Sequence, residues 1–266
     1  MRDPAPPVVL TIAGSDPSGG AGVQADLRAI AVHGQVGAAV ITGHTVQSGL
    51  GVRRVAPMDP DVVGEQLDVV LADLPVAAVK VGMLGDGAVA VAVAAALADF
   101  RGPVVVDPVL VSSSGAPLLD DPGVAVLRQR LLPLATLFTP NLPEGAALLD
   151  TVEPDPDALA RALFARWGVV LLTGGHGAGD RVVDRLVTGS GDMESLSDAR
   201  LPAPHDRGTG CLLSTSIACA LARGDELRGA VQHGRACVRQ GLRDAGPLGQ
   251  GRGPALLLSC RSDRGS

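Results

Sequence analysis

Short runs of β-branched residues alternate along this chain with Ala- and Leu-rich stretches of helical length. A strand buried on both faces reads as a continuous apolar run, and its crossover as a helix, so this rhythm predicts βαβ units around a mainly parallel sheet. Strands are expected at residues 8–13, 36–42, 77–81, 103–106, 136–138 and 169–172, with a short extra one at 52–56. Helices are expected at 21–33, 60–73, 86–100, 122–132, 143–150, 156–167, 211–222 and 226–243. Residues 181–188 and 193–201 read as a hairpin around Gly189-Ser190-Gly191. No linker or repeat interrupts the pattern. The expectation is one α/β domain with its core at about residues 8–250 and a short tail at either end, the second rich in Gly, Arg and Ser.

In open sheets of this kind the ligand site lies at the carboxyl ends of the strands. Glycine, proline and polar residues gather there, at 14–22, 42–51, 82, 107–115, 139–144 and 173–177.

Composition narrows the chemistry. Of 22 basic residues only Lys80 is a lysine. A Walker A loop has no Gly-Lys-Ser/Thr to stand on, and a Schiff-base enzyme would have Lys80 alone. The net charge of −6, the lack of a basic run, 2% aromatics and no Tyr argue against a nucleic-acid surface. The start of the chain is broken by prolines, and the longest apolar stretch, residues 88–98, falls short of the roughly 20 needed to span a bilayer. The four cysteines, Cys211, Cys219, Cys237 and Cys260, include no C-x₂-C pair, which suits neither a zinc site nor a disulfide scaffold. A soluble cytoplasmic protein without membrane or nucleic-acid partners is expected. Cys219, Cys237 and Cys260 read as core or tail residues, and His33, His205 and His233 as surface residues.

Several strings can carry chemistry. Gly14-Ser15-Asp16-Pro17-Ser18-Gly19-Gly20-Ala21-Gly22 joins the first strand to the first helix. Its end matches G-x-G-x-x-A, yet Gly20 comes late after the strand and the second strand ends without an acid for a ribose, which opposes a dinucleotide site. Glycines there let a backbone approach a ligand closely. Asp26, one turn into the helix, can accept a hydroxyl.

Gly208-Thr209-Gly210-Cys211 opens an apolar helix, so several N–H groups point at one spot and form an anion hole. The same dipole favours thiolate, which makes Cys211 a base, a nucleophile or else an inert thiol at the cap. Asn141-Leu142-Pro143-Glu144 reads as a plain helix cap or as oxygen ligands for hydrated Mg²⁺. Asp107, ending a buried strand, reads as a turn residue or a phosphate–metal contact. His44 and His176 are isolated, with no H-x-x-H spacing.

In this order the strings resemble the hydroxymethylpyrimidine/phosphomethylpyrimidine kinases of the ribokinase-like superfamily. The resemblance spans about residues 8–250 and rests on residues 10–26, Lys80-Val81-Gly82-Met83-Leu84, Val106-Asp107-Pro108-Val109, 139–144, Gly174-Gly175-His176 and Gly208-Thr209-Gly210-Cys211. It implies a three-layer α/β/α fold, ATP and Mg²⁺ as cofactors, and a homodimer. It implies that a pyrimidine lies over Gly14 with Asp26, Gln47, Met83 and Val109 around it. Cys211 would take the hydroxymethyl proton, while Gly208, Thr209 and Gly210 stabilise the moving phosphoryl group. Asp107, Asn141 and Glu144 would hold Mg²⁺, with Thr173 and Arg207 beside the nucleotide and Lys80 in support.

The chain departs from the family's usual pattern at Ser113 and Thr173, where many members carry Lys, and at Arg207, where His is usual. Arg207 precedes the anion hole and reads either as a phosphate contact in their place or as a solvent-facing arginine. The function expected is phosphorylation of 4-amino-5-hydroxymethyl-2-methylpyrimidine and then of its monophosphate, for thiamine biosynthesis. A pyridoxal-type kinase of the same fold and a catalytically silent pyrimidine-binding protein are the alternatives.

Overall fold

β1 (Val8–Ser15) lies near the middle of a nine-stranded sheet, between β2 (Val36–Ser48) and β4 (Val76–Val81), and pairs with both in parallel. Outward from β4 run β5 (Val104–Val106), β6 (Leu137–Phe138) and β7 (Val170–Leu172), all parallel. Antiparallel strands close both edges: β3 (Gly51–Pro57) beside β2, and the hairpin of β8 (Arg181–Thr188) and β9 (Asp192–Ala199) beside β7. The computed structural model describes residues 5–259 apart from 113, 153–154, 176, 178 and 190.

Helices cover both faces, and strand alternation decides which residues meet them. Leu10, Ile12, Val79, Val81, Val104, Val106, Val170 and Leu172 face α2 (Pro60–Asp73), α3 (Gly87–Leu97) and α6 (Pro156–Trp167). Val9, Val105, Leu137 and Leu171 face α7 (Thr209–Ala222) and α8 (Leu227–Arg243), together with Ile30 of α1 (Gly22–Val32). Lys80 falls in this second row, paired in register with Thr11 and Val105, and so points into the layer under α1 and α7. It is fully buried.

The helix starts follow local chemistry. Asp59 and Asp155 cap α2 and α6 by accepting the N–H two residues on, and Pro60 and Pro156 follow them at the first helical position. α4 (Asp121–Val126) starts from Asp120 and α5 (Leu142–Leu148) from Asn141.

Two elements differ from the sequence expectation. β2 continues past residue 42, because its outer half leaves the parallel sheet and pairs with β3, from Gly43↔Pro57 to Ser48↔Gly51. There it is a two-stranded flap, which is why the apolar run stops before the strand does. The helix expected at 122–132 is α-helical only over α4. It widens to a π segment at Leu127–Leu131 and tightens to a 3₁₀ turn at Leu132–Leu134, where Pro133 offers no N–H to continue the ladder.

Candidate active site

The loop after β1 is built around Asp16. Its Oδ1 accepts the Ser18 N–H (2.9 Å) and hydroxyl (2.7 Å), and its Oδ2 accepts the N–H of Gly20 (3.1 Å) and Ala21 (2.9 Å). The amino end of α7 docks on this loop. Gly208 takes φ 75°, and a Cβ there would collide with the Gly20 carbonyl oxygen. Gly22 takes φ 60°, and a Cβ there would collide with the Gly14 carbonyl oxygen. Only glycine allows this approach at both places. Gly208 brings no capping side chain to α7, so no cap side chain occupies the first N–H groups of the helix, those of Thr209, Gly210 and Cys211.

Arg207 is not a solvent-facing residue. Its Nη2 donates to Asp16 Oδ2 at 2.9 Å and both terminal nitrogens lie 3.2 Å from Ser18 Oγ, in a pair that is almost fully buried. The guanidinium charge is matched by Asp16. Arg207 therefore ties α7 to the β1 loop.

Asp26 lies beneath this joint. It is fully buried, and both oxygens are engaged: Oδ2 by Thr11 Oγ1 (2.6 Å) and Lys80 Nζ (2.9 Å), Oδ1 by Thr215 Oγ1 (2.8 Å). It holds Lys80, Thr11 and Thr215 together. Burial opposes the Lys80 charge, but Asp26, Cys211 and Asp107 outweigh it and raise the ammonium above its usual range. A Cβ on Gly82 would crowd the Lys80 Nζ, which accounts for glycine two residues along the strand.

Cys211 stands in the first turn of α7, where the helix dipole alone would favour thiolate. Burial decides otherwise and pushes the thiol up to about 12, with Asp26 and Asp107 adding to it while Lys80 and the Gly22 N–H pull down. The helix position of Cys211 is thus opposed by its surroundings, which disfavour the thiolate. Next to it, the Asp107 carboxylate lies 3.3 Å from the place a Cβ of Gly210 would occupy, and Ser214 Oγ donates to its Oδ2 at 3.3 Å. Burial raises Asp107 to about 6, with Asp26 adding and Lys80 and Ser214 opposing. Burial and then Asp107 raise Glu144 to about 8, against the N–H groups of Asn141 and Leu110.

Asn141 and Glu144 form a reciprocal cap on α5: Asn141 Oδ1 accepts the Glu144 N–H, and Glu144 Oε2 accepts the Asn141 N–H, both at 2.9 Å. Both readings of this string thus have a basis, since Glu144 also neighbours Asp107. Thr173, at the end of β7, bridges to Asn141 and donates to the Pro140 carbonyl at 3.3 Å.

On the other flank Met83 lies against Gly14, where a Cβ would strike its methyl group, and Thr42 Oγ1 holds the Met83 carbonyl at 2.5 Å. Gln47 is half-buried on the flap beside a β-bulge, with Thr45 Oγ1 donating to its Oε1 at 3.1 Å and lying 3.0 Å from the Ser15 carbonyl. Val109 is half-buried two residues beyond Asp107. Ser113 and His176 lie outside the described residues.

Sequence reasoning did not single out Asp16, Thr11, Ser214 or Thr215. For Thr11 the signal available was a polar residue inside an apolar strand, and for Ser214 and Thr215 a polar run inside an apolar helix.

The sequence profile described as phosphomethylpyrimidine kinase matches residues 16–256. The chain belongs to the phosphomethylpyrimidine kinase family. It is 43% identical over 253 residues to the hydroxymethylpyrimidine/phosphomethylpyrimidine kinase of Synechococcus elongatus, covering 93% of this chain and 96% of that protein. It is 42% identical over 260 residues to the thiamine biosynthesis bifunctional protein ThiED of Geobacter sulfurreducens, of which it spans about half the length (53%, against 96% of this chain). The fold matches the Bacillus subtilis pyridoxal kinase in its ADP complex, with a TM-score of 0.85, 30% identity, and coverage of 94% of this chain and 96% of that one. As a member of this family it is a phosphotransferase of ribokinase-like α/β fold.

Proposed function

We propose that this protein transfers the γ-phosphoryl group of ATP to the hydroxymethyl oxygen of 4-amino-5-hydroxymethyl-2-methylpyrimidine, and then phosphorylates the monophosphate to the diphosphate. The observation that carries this reading is Cys211 in the first turn of α7 behind Gly208, beside three backbone N–H donors and the Asp107–Glu144 pair. Phosphoryl transfer needs little covalent help from a protein. It needs positioning and donors aimed at the moving charge.

Gly14 and Met83 offer an apolar floor for a flat ring, and the Gln47 amide, which both donates and accepts, suits an aminopyrimidine edge. Cys211 Sγ, as thiolate, takes the hydroxyl proton while the new O–P bond forms and the bond to the ADP oxygen breaks. The N–H groups of Thr209, Gly210 and Cys211 face the three phosphoryl oxygens. Asp26 and Lys80 position this thiol from beneath.

Asp107 and Glu144 fit hydrated Mg²⁺: both are buried oxygen donors whose charge burial disfavours, and Asp107 further disfavours that of Glu144, which a bound cation would offset. When bound, the ion supplies charge neutralisation to the phosphates. Asn141 would support that set through its cap on Glu144.

The test is turnover of Cys211→Ala and Cys211→Ser. Loss of a general base lowers kcat by about 10²–10⁴-fold. Wild-type kcat in both variants would remove Cys211 from this role.

A further inference from the structure

The C-terminal end of α1 and one face of α8 bring together three side chains that the kinase site does not use. His33 follows α1, while His233 and Cys237 stand one turn apart on α8, and the three ligand-type atoms all lie within 4.8 Å of one another. The sequence placed both histidines on the surface, and the structure corrects this. They are half-buried and packed together, with ring centroids 5.0 Å apart.

We propose that His33, His233 and Cys237 form a binding site for a divalent cation of the zinc class. Tetrahedral zinc, with Zn–N of about 2.05 Å and Zn–S of about 2.3 Å, sets N···N and N···S edges of about 3.4 and 3.6 Å. His33 Nδ1 lies 3.4 Å from His233 Nε2, and Cys237 Sγ lies 3.6 Å from the same nitrogen. Two edges of the polyhedron are thus present in advance. The other ring nitrogen of His33, Nε2, lies 3.1 Å from Ser216 Oγ on α7, the outer-shell contact that orients a metal-bound imidazole.

Protonation also suits a ligand set. Burial, then His233 and Arg223, holds His33 down at about 4, and burial lowers His233, so both rings are neutral at pH 7. Arg223, whose charge bears on both rings, is paired with Asp225 at 2.9 Å. Binding releases the Cys237 thiol proton to solvent and leaves a fourth position for water. The pattern was hidden in sequence because His33 is 200 positions from His233.

The site is separate from the Asp107–Glu144 oxygen pair, which makes cobalt a discriminating probe. The full-length, untagged, chelator-treated protein is titrated with Co²⁺ alone. One equivalent gives intense tetrahedral d–d bands and a thiolate-to-cobalt charge-transfer band, and Zn²⁺ bleaches both and raises Tm. Cys237→Ser loses the charge-transfer band, His233→Gln weakens or abolishes binding, and Cys211→Ser retains both bands. Ser216→Ala binds about 10–100-fold more weakly. In the wild type, absence of the charge-transfer band, or only a weak octahedral spectrum, overturns the proposal whatever the variants do. So does a charge-transfer band that survives Cys237→Ser.

Discussion

At Cys211 burial and helix position pull in opposite directions, and burial wins. A thiol held at about 12 is protonated across the neutral range, so the thiolate fraction grows tenfold for each unit of rising pH. kcat/KM for the pyrimidine reports the free enzyme, and the expected profile is a rise with a slope near one through neutral and mildly alkaline pH. A plateau below pH 8 would assign the base to another group. Arg207 is a second case in which partners outvote position. Breaking a buried ion pair from one side costs about 3–5 kcal/mol, and the amides around Asp16 place Arg207→Ala near the lower end. Urea denaturation of Arg207→Ala and Arg207→Lys checks this. An unchanged unfolding midpoint with a raised KM for ATP would restore the phosphate role.

At the level of elements, the two glycine strings work as one joint. α7 can present its first N–H groups only because Gly208 lies on Gly20 and Gly22 on Gly14. Gly208→Ala adds left-handed strain and a collision with a carbonyl oxygen, so the donors must shift. The expected loss is about 10²–10³-fold in kcat, as for removal of one such donor, and KM for the pyrimidine changes less. Steady-state kinetics of a variant with native circular dichroism checks it; wild-type kcat would mean that the joint tolerates a methyl group.

This joint was legible in sequence because glycine at a strand end and at a helix start has few other uses. The helices at residues 60–73 and 156–167 were legible for a similar reason, as Asp-Pro marks both starts. What stayed hidden depends on three-dimensional neighbours. Nothing local says that Asp26 and Lys80, 54 positions apart, close on each other at 2.9 Å. Nor does the end of the apolar run at residue 42 show that β2 goes on as a flap carrying Gln47.

Across the whole molecule, the parallel strands aim their carboxyl ends at α7, while the His33 cluster lies where α1 and α8 meet. No helix among the described residues is long and apolar enough to cross a membrane. His33 makes a global prediction. Its folded value of about 4 lies below the ordinary 6.5, so between these values the unfolded chain binds more protons. Stability therefore falls as pH drops from 6.5 toward 4, by at most about 3 kcal/mol from this residue. Urea melts with chelator present, compared with His33→Gln, read the difference, and parallel curves for the two proteins would contradict it. The phosphotransferase reading is tested most directly by following phosphorus products by ³¹P NMR after mixing the protein with ATP, Mg²⁺ and hydroxymethylpyrimidine. The expected record is a pyrimidine monophosphate that rises and then gives way to the diphosphate, with two ADP formed per diphosphate. ADP without a phosphorylated pyrimidine, or phosphorylation of pyridoxal alone when both substrates are supplied, would contradict it.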